Sequence, residues 1–230
     1  MNNFSIVVPV YNEEDNVKPL YDEIIEALNN IKDYEIIFVN DCSVDETQKI
    51  LQDIKDQKIK IITHNRRKGQ SLSILTGIKK SKFNVIVTID GDGQNNPHDI
   101  NKLLEKFFSS EKFSLVAGIR VKRFDSKIKV VSSRIANGFR SFVLNDGCKD
   151  TGCGLKVFSK QVFLEFPFFD GIHRFLPALF KGLGYKTAFI NVSHRPRLSG
   201  FSKYGIFARM FKGLRDTIRV KSIIKNTIRK

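Results

Sequence analysis

The sequence predicts an α/β fold in which helices flank a mostly parallel sheet. Short apolar runs rich in Ile, Val and Phe alternate with segments of helical period, and this alternation is typical of βαβ units. Four strand–helix repeats fill the first half of the 230 residues. With 41% hydrophobic and 27% charged residues, the composition is that of an ordinary globular protein. The length favours one large domain, or one domain with an appendage.

The individual elements follow from local patterns. Apolar runs predict strands at 4–10, 34–40, 59–63, 84–90, 113–118 and 187–192. Helical spacing predicts helices at 14–29, 46–55, 70–80 and 97–108. Asn96 is the expected N-cap of the last of these helices, with Pro97 at its first position. After residue 118 the order is less regular, with a basic helical stretch over 126–142, a glycine-punctuated segment over 146–154 and a Phe-rich region over 163–169.

The charge is strongly positive and lies mostly at the C-terminal end. Lys and Arg number 39 against 24 Asp and Glu, and residues 186–230 alone contribute +11 of the net +15. Such a field attracts nucleotides, phospholipid headgroups or nucleic acid. The three cysteines form no C-x-x-C pair, which argues against a disulfide framework or zinc site and favours a reducing, cytoplasmic compartment. Neither a signal peptide nor a transmembrane stretch is expected.

Polar and mostly acidic residues follow three of the predicted strands. Each of them alone could be a turn former or a helix cap. In an open α/β sheet, however, ligands bind beyond the carboxyl ends of the strands, so agreement among several strands favours a binding site at that edge. The residues are Asn12 and Glu13 after the first strand, Asp41 and Asp45 after the second, and Asp90 and Asp92 after the fourth.

The tight turn at 90–94 suggests a site for a hard cation. Asp90, Asp92 and Gln94 offer two carboxylates and an amide oxygen, which suit Mg²⁺ or Mn²⁺ better than zinc. A cation there could bridge a diphosphate and neutralise charge on a leaving phosphate. The chain contains neither a G-K-[ST] phosphate loop nor a G-x-G-x-x-G after its first strand, which argues against an ATPase or a dehydrogenase.

Three motifs, in this order and spacing, resemble the inverting family 2 glycosyltransferases of GT-A fold. They are V-P-V-Y-N-E-E at 8–14, V-N-D-C-S-V-D-E-T at 39–47 and I-D-G-D-G-Q-N-N-P at 89–97. Four later motifs are similar to the polyprenyl-phosphate branch, the dolichyl-phosphate mannose synthase-like enzymes: G-I-R at 118–120, S-S-R-I-A-N at 132–137, D-T-G-C-G-L-K-V-F at 150–158 and H-R-P-R-L-S-G-F-S-K-Y at 194–204. The resemblance covers about residues 3–205 and implies a GT-A catalytic domain, nucleotide-diphospho-sugar transferase type and Rossmann-like, over 1–203.

The resemblance also implies roles for particular residues. The nucleotide would be bound by Pro9, Tyr11, Glu13 and Asp41, the last at the base. Mg²⁺ or Mn²⁺ and the diphosphate of the sugar nucleotide would be held by Asp90, Asp92 and Gln94. Arg120 and Arg134 would meet phosphate, which guanidinium forks match with two hydrogen bonds. A late loop would close over the diphosphate, and its contacts would come from Arg197, Ser202 and Lys203.

The expected acceptor is a phosphate monoester, because such a group needs no catalytic base. Its second pKa of about 6 leaves it largely ionised at neutral pH, whereas a sugar hydroxyl must lose a proton to a general base. Positioning and electrostatics would then supply the catalysis. Asp150 is the candidate base if the acceptor is a hydroxyl. The alternative for Asp150 is a structural one, capping the turn at Thr151 and Gly152.

The last segment, 204–230, predicts a basic amphipathic helix. Its apolar side chains recur at helical spacing between basic ones, the pattern of an element lying in a membrane interface. Each basic residue near an anionic leaflet contributes about 1 kcal/mol. The alternative is a helix packed on the domain with a solvated basic face. The Phe-rich region at 163–169 is expected to be core, with a surface for a polyprenyl chain as its alternative.

These expectations combine into one predicted function. The chain would transfer a hexose, first of all mannose, from GDP-mannose or a UDP-hexose to a polyprenyl phosphate, with inversion, at the cytoplasmic face of a membrane. Two alternatives stay open: a transferase of the same fold acting on a glycan hydroxyl in cell-surface polysaccharide synthesis, and an inactive, scaffold-like relative. The positive net charge alone would suggest a nucleic-acid-binding module. The acidic sheet edge argues against that function, so nucleic acid is not an expected partner. A membrane-protein partner or a homo-oligomer is left open.

Overall fold

The computed structural model describes residues 3–121, 138–196 and 206–228, and within the last range the side chains of 213–227. Seven strands form one sheet in the order β3-β2-β1-β4-β6-β5-β7. The strands are β1 (Phe4–Val10), β2 (Tyr34–Asn40), β3 (Ile59–Thr63), β4 (Val85–Thr88), β5 (Leu115–Arg120), β6 (Lys156–Ser159) and β7 (Thr187–Val192). The bounds of β1, β2, β3 and β7 agree with the predicted ones, while β4 is shorter and β5 begins and ends two residues later.

Helices cover both faces of the sheet. They are α1 (Glu14–Ala27), α2 (Thr47–Asp53), α3 (Gln70–Lys80), α4 (Asp99–Phe107), α5 (138–144), α6 (Lys160–Glu165), α7 (Leu176–Gly182) and α8 (Ile206–Ile228), with a 3₁₀ turn at Ile172–Arg174. The predicted cap at Asn96 is wrong, because α4 begins at Asp99. Asn96 instead accepts a hydrogen bond from the His98 N–H, 3.1 Å, within the turn that precedes the helix.

The alternation of side chains along β1 explains the two-sided core. Ile6 and Val8 belong to the apolar cluster beneath α1, α2 and α4, whereas Val7 belongs to the cluster beneath α3, α6 and α7. Successive side chains of a strand point to opposite faces, so a strand covered on both sides is apolar throughout. All seven residues of β1 pair in parallel with β2, and this places their carboxyl ends at the same edge.

Strand β6 was not predicted, and it lies in the middle of the sheet. It is antiparallel to both β4 and β5. Its four residues, K-V-F-S, include Lys156, whose side chain is only 3% exposed. A short run that contains a lysine resembles a surface segment, which is why the pattern did not indicate a central strand. Because β6 reverses direction, β5 runs the same way as β4 and ends at the same edge.

The Phe-rich region is core, as predicted. Phe163, Phe166 and Phe169 are buried in the cluster on the α3, α6 and α7 side of the sheet. Leu164 and Phe168 in the same region are about half exposed. The large apolar side chains that lie outside this core include Phe142 on α5, which is 89% exposed.

The described side chains of α8 pack against the domain. Thr217 and Val220 are buried, and Ile224 lies so close to Gly182 of α7 that a Cβ there would overlap it. Packing on the domain therefore accounts for residues 213–227, with a basic face left exposed. In the described ranges, no helix combines the length and the apolar character that a membrane span requires.

Candidate active site

The loops after β1 and β2 are tied to each other by hydrogen bonds. Asn12, in the left-handed region at φ 52°, donates its N–H to Ser43 Oγ (2.9 Å) and accepts from the Val44 N–H (3.0 Å). The Glu13 N–H donates to Thr47 Oγ1, 2.9 Å. These bonds fix the backbone of the segment that carries Tyr11 and Glu13, two predicted nucleotide-binding residues.

Asp41 holds the loop between β3 and α3 in place. Its Oδ1 lies 2.8 Å from Nδ1 of the buried His64 and accepts from the Lys68 N–H at 2.8 Å, while its Oδ2 accepts from the Gly69 N–H at 2.7 Å. Burial alone would raise the pKa of Asp41, but these hydrogen bonds outweigh it and lower the pKa below its usual value. The structure thus gives Asp41 a structural role, and its contact with a base stays a prediction.

The loop that Asp41 anchors carries three basic residues, Arg66, Arg67 and Lys68. The Arg67 guanidinium lies over the ring of Tyr11, with 4.2 Å between its central carbon and the ring centroid. A cation over an aromatic face is an attractive contact. The predicted nucleotide pocket is therefore bordered on this side by positive charge, which the strand-end motifs alone did not indicate.

The Asp90 carboxyl lies against Gly154 and Gln70. Gln70, at the start of α3, donates from Nε2 to Asp90 Oδ1 at 2.8 Å. A Cβ at Gly154 would overlap the same carboxyl, and a Cβ at Gly91 would come within 2.9 Å of the Pro9 carbonyl oxygen. Gly91 lets the loop after β4 lie directly against the end of β1, and Gly154 lets the segment before β6 lie directly against Asp90.

Burial and the neighbouring carboxylate of Asp92 raise the pKa of Asp90 to about 6. The positive charges of Lys156, Arg120 and Arg174 act against that rise. Asp92 itself accepts from the Gln94 N–H, 3.2 Å, and Gln94 Nε2 donates to the Arg195 carbonyl oxygen, 3.3 Å. Two neighbouring carboxylates that raise each other's cost of ionisation, both of them half-buried, form a site that favours a cation.

The residues present fit a divalent cation. Mg²⁺ and Mn²⁺ sites in proteins commonly use one or two carboxylates and complete the shell with water and substrate phosphate. Asp90 and Asp92 supply that pair, with Gln94 in the same turn. In the described part of the chain, no cluster of three or more His, Cys, Asp or Glu forms a competing site of that kind.

Arg120 and Asp150 form an ion pair at the end of β5. Arg120 Nε lies 2.7 Å from Asp150 Oδ2 and its Nη2 lies 2.8 Å from Oδ1, a two-bonded fork, with side-chain exposures of 11% and 6%. Gly152 leaves room for this guanidinium, 3.0 Å from where a Cβ would be. Residues 150–154 therefore contact both Arg120 and Asp90. Asp150 therefore has a long-range partner, and its predicted alternative role of capping the turn at Thr151 and Gly152 stays a prediction.

Several residues near Asp90 were missed by sequence reasoning. Gln70, Lys156 and Arg174 come from three distant segments, and none of them stands at the end of a predicted strand. Lys156 is buried and donates to the Cys153 carbonyl oxygen. Four predicted site residues lie outside the described residues: Arg134, Arg197, Ser202 and Lys203.

Comparison with known proteins assigns the family. Residues 5–166 match the model described as glycosyl transferase family 2. This chain belongs to glycosyl transferase family 2. The match confirms the predicted family, and it spans the carboxylate turn, Arg120 and Asp150.

Curated family 2 relatives carry names from the predicted polyprenyl-phosphate branch. The undecaprenyl-phosphate 4-deoxy-4-formamido-L-arabinose transferase of Edwardsiella ictaluri is 32% identical over 206 residues, covering 88% of this chain and 63% of that protein. The dodecaprenyl-phosphate galacturonate synthase of Rhizobium johnstonii is 30% identical over 223 residues, covering 94% of this chain and 65% of that protein. This chain thus spans slightly less than two thirds of the length of either relative.

Solved structures confirm the GT-A fold of the family 2 domain. Glucosyl-3-phosphoglycerate synthase from Mycobacterium tuberculosis, in complex with Mn²⁺, uridine diphosphate and phosphoglyceric acid, superposes with a TM-score of 0.71 at 18% identity, covering 95% of this chain and 76% of that chain. Mannosyl-3-phosphoglycerate synthase from Rubrobacter xylanophilus gives 0.72 at 15% identity, covering 99% and 75%. At these identities the likeness concerns the fold alone.

Proposed function

We propose that this family 2 chain transfers a sugar from a nucleoside diphosphate sugar to a polyprenyl phosphate, with inversion and with Mg²⁺ or Mn²⁺. The observation that carries the proposal is the Asp90–Asp92 carboxylate pair set beside the Arg120–Asp150 ion pair. The carboxylate pair suits a cation that binds a diphosphate, and the ion pair presents the Arg120 guanidinium to a phosphate. The names of the curated relatives support a polyprenyl-phosphate acceptor.

In the proposed reaction the chain's own residues bind and orient both substrates. Pro9, Tyr11 and Glu13 bind the nucleotide, on a loop whose backbone is fixed by its bonds to the β2–α2 loop. Asp90, Asp92 and Gln94 would hold the metal, whose charge would offset that of the departing nucleoside diphosphate. The sequence-based roles of Arg197, Ser202 and Lys203 at the diphosphate, and of Arg134 at the acceptor, remain part of the proposal.

Arg120 orients the acceptor phosphate for attack on the anomeric carbon. Asp150 holds the guanidinium through Nε and Nη2, and Nη1 lies 3.5 Å from His194 Nε2. The group is therefore oriented before the substrate arrives, and such preorganised groups stabilise developing charge without reorganisation. The acceptor oxygen is already ionised at neutral pH, so no base is required. Because both Asp150 oxygens accept from Arg120, the carboxylate is better suited to positioning than to proton removal.

The proposal names two classes of donor. Mannose, from GDP-mannose, is the first candidate because of the resemblance to dolichyl-phosphate mannose synthase-like enzymes. UDP-hexoses are the second class, and the relatives' names add a formamido-arabinose and a galacturonate to the sugars worth testing.

We further propose that the exposed face of α5 contacts the membrane that holds the acceptor. The Arg140 side chain is buried in an ion pair with Asp146, 3.1 Å between Nε and Oδ2, so Phe139 and Phe142 lie outward. β5 ends at the same sheet edge as the carboxylate pair, and Val121, just beyond it, is 64% exposed. Large exposed apolar side chains commonly mark a contact surface, and peripheral attachment fits a lipid acceptor.

A transfer assay tests the proposal. Purified protein is incubated with Mn²⁺, undecaprenyl phosphate in detergent micelles, and GDP-mannose, UDP-glucose or UDP-galacturonate in turn. We expect lipid-linked sugar from at least one donor, lost with EDTA and in Asp92→Asn but kept in Asp33→Asn, an exposed aspartate. Transfer to an oligosaccharide in place of the lipid would favour the alternative function, transfer to a glycan hydroxyl. Absence of transfer from every donor would count against the proposal.

A further inference from the structure

Three cations, Lys156, Arg120 and Arg174, lie within electrostatic reach of the Asp90 carboxyl, and the first two of them are engaged within the protein. Lys156 donates to the Cys153 carbonyl oxygen, and Arg120 donates to both oxygens of Asp150. The third is Arg174, at the end of the 3₁₀ turn Ile172–Arg174. Among the residues that the structure describes, none forms a hydrogen bond or ion pair with the Arg174 guanidinium.

The first turn of α3 joins this 3₁₀ turn to the carboxylate site. Ser71, which is buried, accepts from the Gly171 N–H at 2.7 Å and shares a hydrogen bond of 2.8 Å with Nδ1 of His173. The preceding residue, Gln70, donates to Asp90. Two adjacent residues of one helix thus hold Asp90 on one side and the turn that carries Arg174 on the other.

The flanks of Arg174 are fixed by packing. Ile172 and Phe175 are buried in the core, at 1% and 4% exposure, whereas Arg174 itself is half-buried. The backbone is therefore anchored on both sides while the guanidinium retains contact with solvent. Burial raises the pKa of Asp90, and the charge of Arg174 acts against that rise, which places the two groups within electrostatic reach.

A guanidinium carries five N–H donors and retains its charge at any physiological pH. The Arg174 guanidinium is half-buried and its donors form no hydrogen bond with the described residues, so a ligand that accepts from them would satisfy them. The two substrates of the proposed reaction both carry phosphate, and planar guanidinium groups match phosphate oxygens with paired hydrogen bonds.

We propose that Arg174 binds a phosphate group of a substrate beside the Asp90–Asp92 pair. The inference rests on the proposed function and adds to it a binding residue that lies outside every motif used to recognise the family. The phosphate has two sources, the diphosphate of the donor or the monophosphate of the acceptor, and the experiment separates them.

Three variants are compared with the wild type: Arg174→Met, Arg174→Lys and, as the matched control, Lys55→Met, which removes one positive charge from the surface after α2. Donor binding is measured by calorimetric titration of UDP, and of GDP, with Mn²⁺ and without acceptor. Acceptor recognition is measured as the KM for undecaprenyl phosphate in micelles at saturating donor. Thermal melting accompanies each variant.

Loss of a charge-assisted hydrogen-bond fork predicts roughly 10- to 100-fold weaker binding in Arg174→Met. Arg174→Lys, which keeps the charge but not the fork, should lose less, and Lys55→Met should lose nothing. Weaker nucleotide binding assigns Arg174 to the donor diphosphate. Unchanged nucleotide binding with a raised acceptor KM assigns it to the acceptor phosphate.

Two results overturn the inference. Nucleotide affinity and acceptor KM equal to those of Lys55→Met would exclude a phosphate role. Equal losses in Arg174→Met and Arg174→Lys, with equally lowered melting temperatures, would assign Arg174 to packing. If the wild type bound neither nucleotide and transferred no sugar, both the proposed function and this inference would be wrong. If the wild type were active and the Arg174 variants behaved like it, only this inference would be wrong.

Discussion

Asp150→Asn should destabilise the protein by about 3 kcal/mol, because it removes one partner of a buried ion pair. Asp150 accepts from Nε and Nη2 of Arg120 at 2.7 and 2.8 Å, and the two side chains are 6% and 11% exposed. Breaking such a pair costs about 3–5 kcal/mol, since the remaining charge loses its compensation. The residual exposure of Arg120 places the expected value at the lower end of that range.

Urea unfolding measures this cost, and a double-mutant cycle separates the pair from its surroundings. Asp150→Asn, Arg120→Met and the double variant are compared with the wild type at pH 7. If the two side chains act on each other, the double variant should lose at least about 1 kcal/mol less than the sum of the single losses. Additive losses, or a loss below about 1 kcal/mol in Asp150→Asn, would refute the assigned pairing.

The same variants distinguish positioning from base catalysis. If Asp150 positions Arg120, both single variants raise the KM for undecaprenyl phosphate and leave the shape of the kcat–pH profile unchanged. A base would show itself differently, since Asp150→Asn would then abolish the acidic limb of that profile and Arg120→Met would keep it. The second pattern would refute the positioning role and favour a hydroxyl acceptor.

Three further predictions follow from the carboxylate site and the exposed face of α5. Gly154→Ala should weaken Mn²⁺ binding about tenfold or more, because the new Cβ overlaps the Asp90 carboxyl. The control Gly213→Ala, which has open space around it, should leave Mn²⁺ binding unchanged, and calorimetric titration of Mn²⁺ compares the two variants. Because the pKa of Asp90 is raised to about 6, protons compete with Mn²⁺: affinity should fall as the pH drops below about 6, and the unfolding free energy of the metal-free protein should fall as the pH rises from about 4 to 6. A flat Mn²⁺ affinity between pH 5 and 7 would contradict this, and Asp90→Asn should abolish both trends. Phe142→Ser should lower binding to anionic vesicles containing undecaprenyl phosphate by about tenfold, because it removes the apolar area that one phenylalanine would bury in the membrane. The control Phe168→Ser should leave vesicle binding unchanged. Equal binding of the two variants in a sedimentation assay would show that α5 does not contact the membrane.

Much of this protein can be predicted from local sequence. The bounds of β1, β2, β3 and β7 follow from continuous apolar runs, because a strand buried on both faces leaves no room for polar side chains. The carboxylate turn at 90–94 is equally local, since its oxygen donors are neighbours in the chain. The direction of the parallel strands then places the ends of β1, β2 and β4 at one edge.

The tertiary structure decides which distant residues meet at that edge. Asp41 meets His64, Arg120 meets Asp150 thirty residues later, and Ser71 meets Gly171 one hundred residues later. No period or propensity encodes these contacts, because each depends on how several packed elements position two loops. The buried Lys156 in β6 shows the same limit, since only the assembled site, with the Cys153 carbonyl oxygen and the charge of Asp90, gives a lysine in a central strand a favourable environment. Local chemistry in the sequence determined the fold family and the carboxylate turn at 90–94, and the long-range packing of loops determined which charged side chains are engaged with each other.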